Sequence, residues 1–71
     1  MKIQIDRDAD ALYIRLRDGK VVDSEEVRPG LICDYDEHGV VIGFEVLDAS
    51  KYMNPDELSS VTVQTLHLAG A

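Results

Sequence analysis

Only one cysteine, Cys33, stands in this 71-residue chain, so no disulfide can form within it and no paired-thiolate site can be built from a single copy. Basic residues are scarce after residue 30. Lys51 alone faces seven acids there, a net of −6, while the first thirty residues carry six Lys or Arg against seven acids, a net of −1. Phosphate recognition needs clustered Lys and Arg, so with this distribution and a total of −7 no direct nucleic-acid binding is expected. No apolar run approaches the ~20 residues of a membrane span, and Met1 leads straight into polar and apolar alternation instead of a signal peptide. No membrane contact and a cytoplasmic location are therefore expected. The five glycines include no phosphate-cradling loop, and Ser24, Ser50, Ser59 and Ser60 lack the glycine-flanked elbow that exposes a nucleophile.

What the chain has is alternation in matched rows. If Asp6 stands opposite Ala11 across Arg7-Asp8-Ala9-Asp10, a constant index sum places Ile5 opposite Leu12, Ile3 opposite Ile14 and Met1 opposite Leu16. The same rule across Asp36-Glu37-His38-Gly39 places Tyr35 opposite Val40, Cys33 opposite Ile42 and Leu31 opposite Phe44. Both registers deliver Ile14, Leu16, Cys33, Ile42 and Phe44 to one expected core, with Cys33 as a small buried hydrophobe.

Strands are expected over residues 2–6, 11–17, 20–28, 31–35 and 40–47. Asp18-Gly19 reads as a hairpin turn, and Asp23, Ser24, Glu25 and Glu26 mark the third strand as a charged edge. The fifth strand should lie at the centre, because Val40, Ile42, Phe44 and Val46 make one face apolar while Val41 and Leu47 on the other call for a covering layer. Asn54-Pro55-Asp56-Glu57 is a helix start, with an N-cap and a proline at the first position. Val61-Thr62-Val63 then favours a last strand over about residues 61–68, although Leu58, Val61, Thr65 and Leu68 also fit a helical stripe. The expected fold is one α+β domain over residues 1–71, a mostly antiparallel β-meander with one short helix and a C-terminal strand.

Asp6 through Lys51 resembles a family of small prokaryotic proteins called domain of unknown function 2283. The resemblance rests on Asp6-Arg7-Asp8-Ala9-Asp10-Ala11-Leu12-Tyr13-Ile14-Arg15-Leu16, on Val27-Arg28-Pro29-Gly30, and on Gly43-Phe44-Glu45-Val46-Leu47-Asp48-Ala49-Ser50-Lys51. It implies a fold and no catalytic residues. Relatives that lie beside genes for small toxin-like proteins imply an antitoxin-like role with a small basic partner.

Several constellations invite chemistry and fall short of it. Asp6, Asp8 and Asp10 have the opening spacing of a calcium loop, but Ala11 replaces its glycine and Arg17 its final glutamate. Asp34, Asp36, Glu37 and His38 cluster at a hairpin tip, where nothing encloses a reaction. His67 has no acid closer in sequence than Glu57, and Ser50 beside Lys51 lacks the three-residue separation of an acyl-transfer pair. Tyr13, Arg15 and Arg17 share an outward strand face, as a partner contact or as ordinary solvated surface.

These readings assign no catalytic, cofactor or metal residue. They favour a non-enzymatic protein-binding module, homodimeric because so small a sheet buries more surface by pairing and because Val61, Val63, Leu66 and Leu68 make the tail apolar. A basic protein docking on the acidic half, through Asp34, Glu37 and Glu45, is a further partner expectation. The rival is a cation-binding or hydrolytic domain using the acidic loops.

Overall fold

The computed structural model describes residues 1–67. Its strands are β1 (Lys2–Asp6), β2 (Ala11–Arg15), β3 (Asp23–Arg28), β4 (Leu31–Tyr35) and β5 (Val41–Leu47). They form one antiparallel sheet in the order β1-β2-β5-β4-β3, with the two-sided apolar strand β5 at its centre. The first loop closes as aspartates close turns: Asp6 Oδ1 accepts the Ala9 amide at 3.0 Å, and Asp10 takes a left-handed φ of 50°. The ladder it sets matches the expected register, with Asp6 opposite Ala11, Ile5 opposite Leu12 and Ile3 opposite Ile14. It stops at Lys2 and Arg15, short of the expected Met1 opposite Leu16, and the Leu16 amide donates to the Ile42 carbonyl at 2.9 Å on the β5 side.

The α+β expectation is corrected: the described residues contain two 3₁₀ turns, Ala49–Lys51 and Pro55–Ser59, and no α-helix, so the fold is nearly all β. The capping chemistry at Asn54 does operate, since its side chain accepts the Asp56 amide at 3.0 Å with Pro55 in first position. The turn nonetheless ends at Ser60 in an extended conformation, φ −135° and ψ 113°, where β-branched Val61-Thr62-Val63 offers nothing to propagate a helix. Nor is there a C-terminal strand over 61–67, which pairs with neither sheet edge and is exposed throughout; Leu68 lies outside the described residues.

The meander is corrected too. Residues 16–22 do not turn back at Asp18-Gly19; they leave β2 beside Ile42 and rejoin the sheet where the Val22 amide donates to the Tyr35 carbonyl at 2.9 Å. They cross from β2 to the far edge because Leu12 and Ile14 find apolar cross-strand partners in Val46 and Phe44, which the charged β3 cannot offer. A third difference is register. Leu31 faces Val46 and Cys33 faces Phe44, two residues on from the expected pairing: one residue comes from the loop, where the Asp36 amide bonds the Val40 carbonyl and Tyr35 faces Val41, and one from a bulge that leaves Ile42 extra between that pair and Asp34 opposite Gly43.

These registers build one apolar face from two rows: Ile3, Ile14, Phe44 and Cys33, then Ile5, Leu12, Val46 and Leu31. Tyr52 and Met53, following the first 3₁₀ turn, come down beside Leu31 and Val46 around an apolar hollow of about 330 Å³. Cover therefore reaches the apolar rows. Arg7 pins the later turn by pairing with Asp56 at 2.8 Å. Of the expected core, Cys33 and Ile42 are buried, Ile14 and Phe44 are half-buried, and Leu16 is exposed.

Candidate functional site

The other face carries polar side chains at one place. Arg15 on β2, Gly43 on β5, Asp34 on β4 and Ser24 on β3 stand in a single cross-strand row, and the neighbouring row sets Tyr13 against Glu45. Alternation turns these residues to the same side. Asp34 is only 1% exposed although it is a carboxylate. Ser24 Oγ donates to its Oδ1 at 2.7 Å, Tyr13 OH donates to its Oδ2 at 3.0 Å, and Glu45 stands on the same face, two residues along β5 from Gly43. Arg15 Nη1 donates in turn to the Tyr13 hydroxyl at 3.4 Å. The same guanidinium holds the crossover, donating from Nε to the Arg17 carbonyl at 3.1 Å and from Nη2 to the Gly19 carbonyl.

The electrostatics follow from those contacts. Burial pushes the Asp34 carboxyl up, but hydrogen bonds from Ser24, Glu45 and Tyr13 and the charge of Arg15 outweigh it, leaving Asp34 below its ordinary range. Burial raises Glu45, and the bond to Asp34 and its negative charge raise it further. Tyr13 is raised by burial first and then by Asp34. The arrangement favours charge on Asp34 and disfavours it on Glu45. Every buried side-chain polar atom among the described residues has a partner.

The acidic candidates from the sequence are not brought together. Asp10 accepts the Ser50 amide at 3.0 Å and the Ser50 hydroxyl at 2.6 Å, tying the first loop to the start of the 3₁₀ turn. Asp36 accepts the His38 and Val40 amides at 2.8 and 3.0 Å and pairs with Arg17 at 2.7 Å. His38 and Glu37 meet at 3.6 Å on the exposed tip, and His67 is exposed. Asp8 lies with Gln4, Asp6, Tyr13 and Glu45 along an open cleft of about 670 Å³. No group of three or more His, Cys, Asp or Glu among the described residues is placed to hold a metal ion. Cys33 is buried and free.

Sequence reasoning missed Ser24, Asp34, Gly43 and Glu45 as one constellation, because it assigned Asp34 to the hairpin tip and paired β4 with β5 two residues out. The available signal was an aspartate inside the apolar run Leu31-Ile32-Cys33, with a glycine in the partner strand.

Fold and site together define a small single-sheet β domain with an apolar face and a buried polar row on its opposite side. Residues 2–50, spanning all five strands and the whole polar row, match the family described as "Protein of unknown function (DUF2283)", and the chain belongs to that family. No curated protein and no solved structure matches it. No helix among the described residues is long and apolar enough to cross a membrane.

Proposed function

We propose that this protein is a non-enzymatic protein-binding module that works as a homodimer, laying the apolar face of its sheet against the same face of a second copy. The observation that carries this reading is the amount of surface left open. The molecule exposes 5649 Å², whereas a compact monomer of 7.9 kDa exposes about 4,400 Å². The exposed residues 60–67 contribute to the excess, and so does the sheet face, where Ile3 is 41% exposed, Leu16 38% and Met1 83%. Only Leu12, Cys33, Ile42 and Ala49 are buried apolar residues among those described, a small core for a free-standing domain. A standard interface takes about 800 Å² from each partner, and two twisted sheets pack about 10 Å apart in an aligned sandwich. A twofold pairing uses one self-complementary patch on both copies.

A cytoplasmic setting belongs to the same proposal, supported by the free buried thiol, which suits a reducing compartment. Light scattering on the full chain at about tens of micromolar, a working range for such association, should give twice the 7.9 kDa mass. Ile3→Glu combined with Leu16→Glu should return it to one chain with its strand content intact. A wild-type monomer under those conditions overturns the reading.

A second reading, a basic partner such as a small toxin, is favoured by the exposed acids Asp23, Glu25 and Glu26 along the β3 edge and Glu37 at the tip. Asp34 takes no part in such a surface because it is buried. Reversing Glu25, Glu26 and Glu37 to Lys should slow association with a basic protein several-fold at low salt and far less at ~1 M, where the Debye length falls to ~3 Å.

A further inference from the structure

Strand β3 breaks step just before the turn at Pro29 and Gly30. Asp23 through Glu26 pair with Tyr35 through Ile32 in strict order, which would set Val27 opposite Leu31, but a bulge leaves Val27 extra and puts Arg28 there instead. Bulges re-aim side chains, and this one ends the apolar row Ile5, Leu12, Val46 and Leu31 on a cation. Arg28 thereby joins Leu31, Val46, Tyr52 and Met53 in lining the apolar hollow of about 330 Å³. That volume falls at the lower end of ligand pockets, which run from roughly 300 to 1,000 Å³. Tyr52, one of its walls, is 66% exposed, so apolar surface there still faces water.

The charge at the rim of the hollow is uncommitted. Arg7, Arg17 and Lys51 are held by Asp56, Asp36 and Asp48. Arg28 makes no ion pair among the described residues, and its guanidinium donates only to the Val27 carbonyl, at 3.3 Å. The closest acid along its own strand, Glu26, stands in the Ile32 row on the side of Glu45 and accepts the Gly30 amide at 3.4 Å. An apolar concavity with one unpaired guanidinium at its edge is complementary to a molecule with an apolar body and one anionic end. Guanidinium meets a carboxylate through two parallel hydrogen bonds, which fixes the orientation of such a molecule as well as its charge. The larger cleft, lined by Asp6, Asp8 and Glu45, repels the same end.

We propose that the hollow is a binding site for a small hydrophobic carboxylate, its acyl or aryl body lying among Leu31, Val46, Tyr52 and Met53 and its carboxylate on Arg28. A ligand of that size binds in the roughly micromolar to millimolar range. The site is complete within one chain and does not depend on self-association.

The test is an NMR titration of the full chain at neutral pH with three probes that share one tail: octanoate, octan-1-ol and octylamine. Octanoate should move the amide signals of Gly30, Leu31, Val46 and Met53 in one saturable step and bind about ten-fold tighter than octan-1-ol, the worth of one hydrogen bond to a charged group. Octylamine should bind more weakly than either. Arg28→Gln should bring octanoate down to the level of octan-1-ol while leaving octan-1-ol unchanged. Equal binding of octanoate and octylamine by the wild-type chain overturns the proposal whether or not the variant folds, as does the absence of a saturable shift at the hollow. An Arg28→Gln chain that loses octanoate and octan-1-ol alike shows that Arg28 acts through its alkyl stem, which also overturns it. If the same signals move when the protein alone is concentrated, and octanoate then leaves them still, the occupant is a second copy and the small-molecule site is refuted.

Discussion

Gly43 stands directly across the β4–β5 ladder from Asp34, and a Cβ placed there would lie 3.5 Å from Asp34 Oδ2 and 3.2 Å from the Ile14 carbonyl oxygen. The first separation is ordinary contact. The second is tight, and the atom it presses on is main chain in the β2–β5 ladder, which cannot swing aside as a side chain can. Removing glycine from a strand interior gains about 0.5–1 kcal/mol in chain entropy, while overpacking costs about 1–3 kcal/mol. Gly43→Ala should therefore lower the urea midpoint, by about 1 kcal/mol in stability, with an unchanged slope. A midpoint at or above wild type would show that β2 and β5 can part without loss.

Asp36 supplies a pH dependence of known sign. The Val40 amide, followed by the His38 amide and Arg17, holds its carboxyl below the ordinary range against a smaller opposing effect of burial. A depressed folded value means a contribution present above the unfolded value and lost as pH falls through the folded one. Asp36→Asn should weaken the fold at neutral pH and flatten the acid side of its stability curve. Melting temperatures of both proteins, taken in steps from neutral to about pH 2, check this; parallel curves on the acid side would contradict it.

The tail separates two routes to self-association. Val63 and Leu66 are 81% and 80% exposed and pair with no strand, so replacing both by Ser should shift stability by no more than about 0.5 kcal/mol. If copies meet through the sheet face, the mass from light scattering should also stay unchanged. A fall to one chain would move the interface to the tail.

The parts legible in the sequence were those governed by strict alternation. Asp6 opposite Ala11 followed from a loop that aspartates close locally, and β5 stood out as central because Val41 and Leu47 interrupt an otherwise polar side. The β4–β5 pairing was not legible to the same depth, since the bulge at Ile42 adds a residue that no index sum anticipates. Together with a loop one residue off the expected one, it moved Asp34 to a position opposite Gly43 and hid the polar row. Asp18-Gly19 had good turn chemistry, yet the choice between a hairpin and a crossover was made by Phe44 and Val46, far along the chain. The capped start at Asn54 was likewise read correctly, but its extent depended on what followed it.

The strand order also divides the assembly of the molecule into unequal steps. β1 with β2, and β3 with β4 and β5, are joined by short connections and can form early as local units, whereas β2 meets β5 only after the intervening chain has been brought round. The seam between Ile14 and Phe44 is then the late, slow event. Destabilising changes in the two local units, already formed when the seam closes, should therefore act mainly by slowing folding, and only contacts made after the seam has closed should act mainly on unfolding.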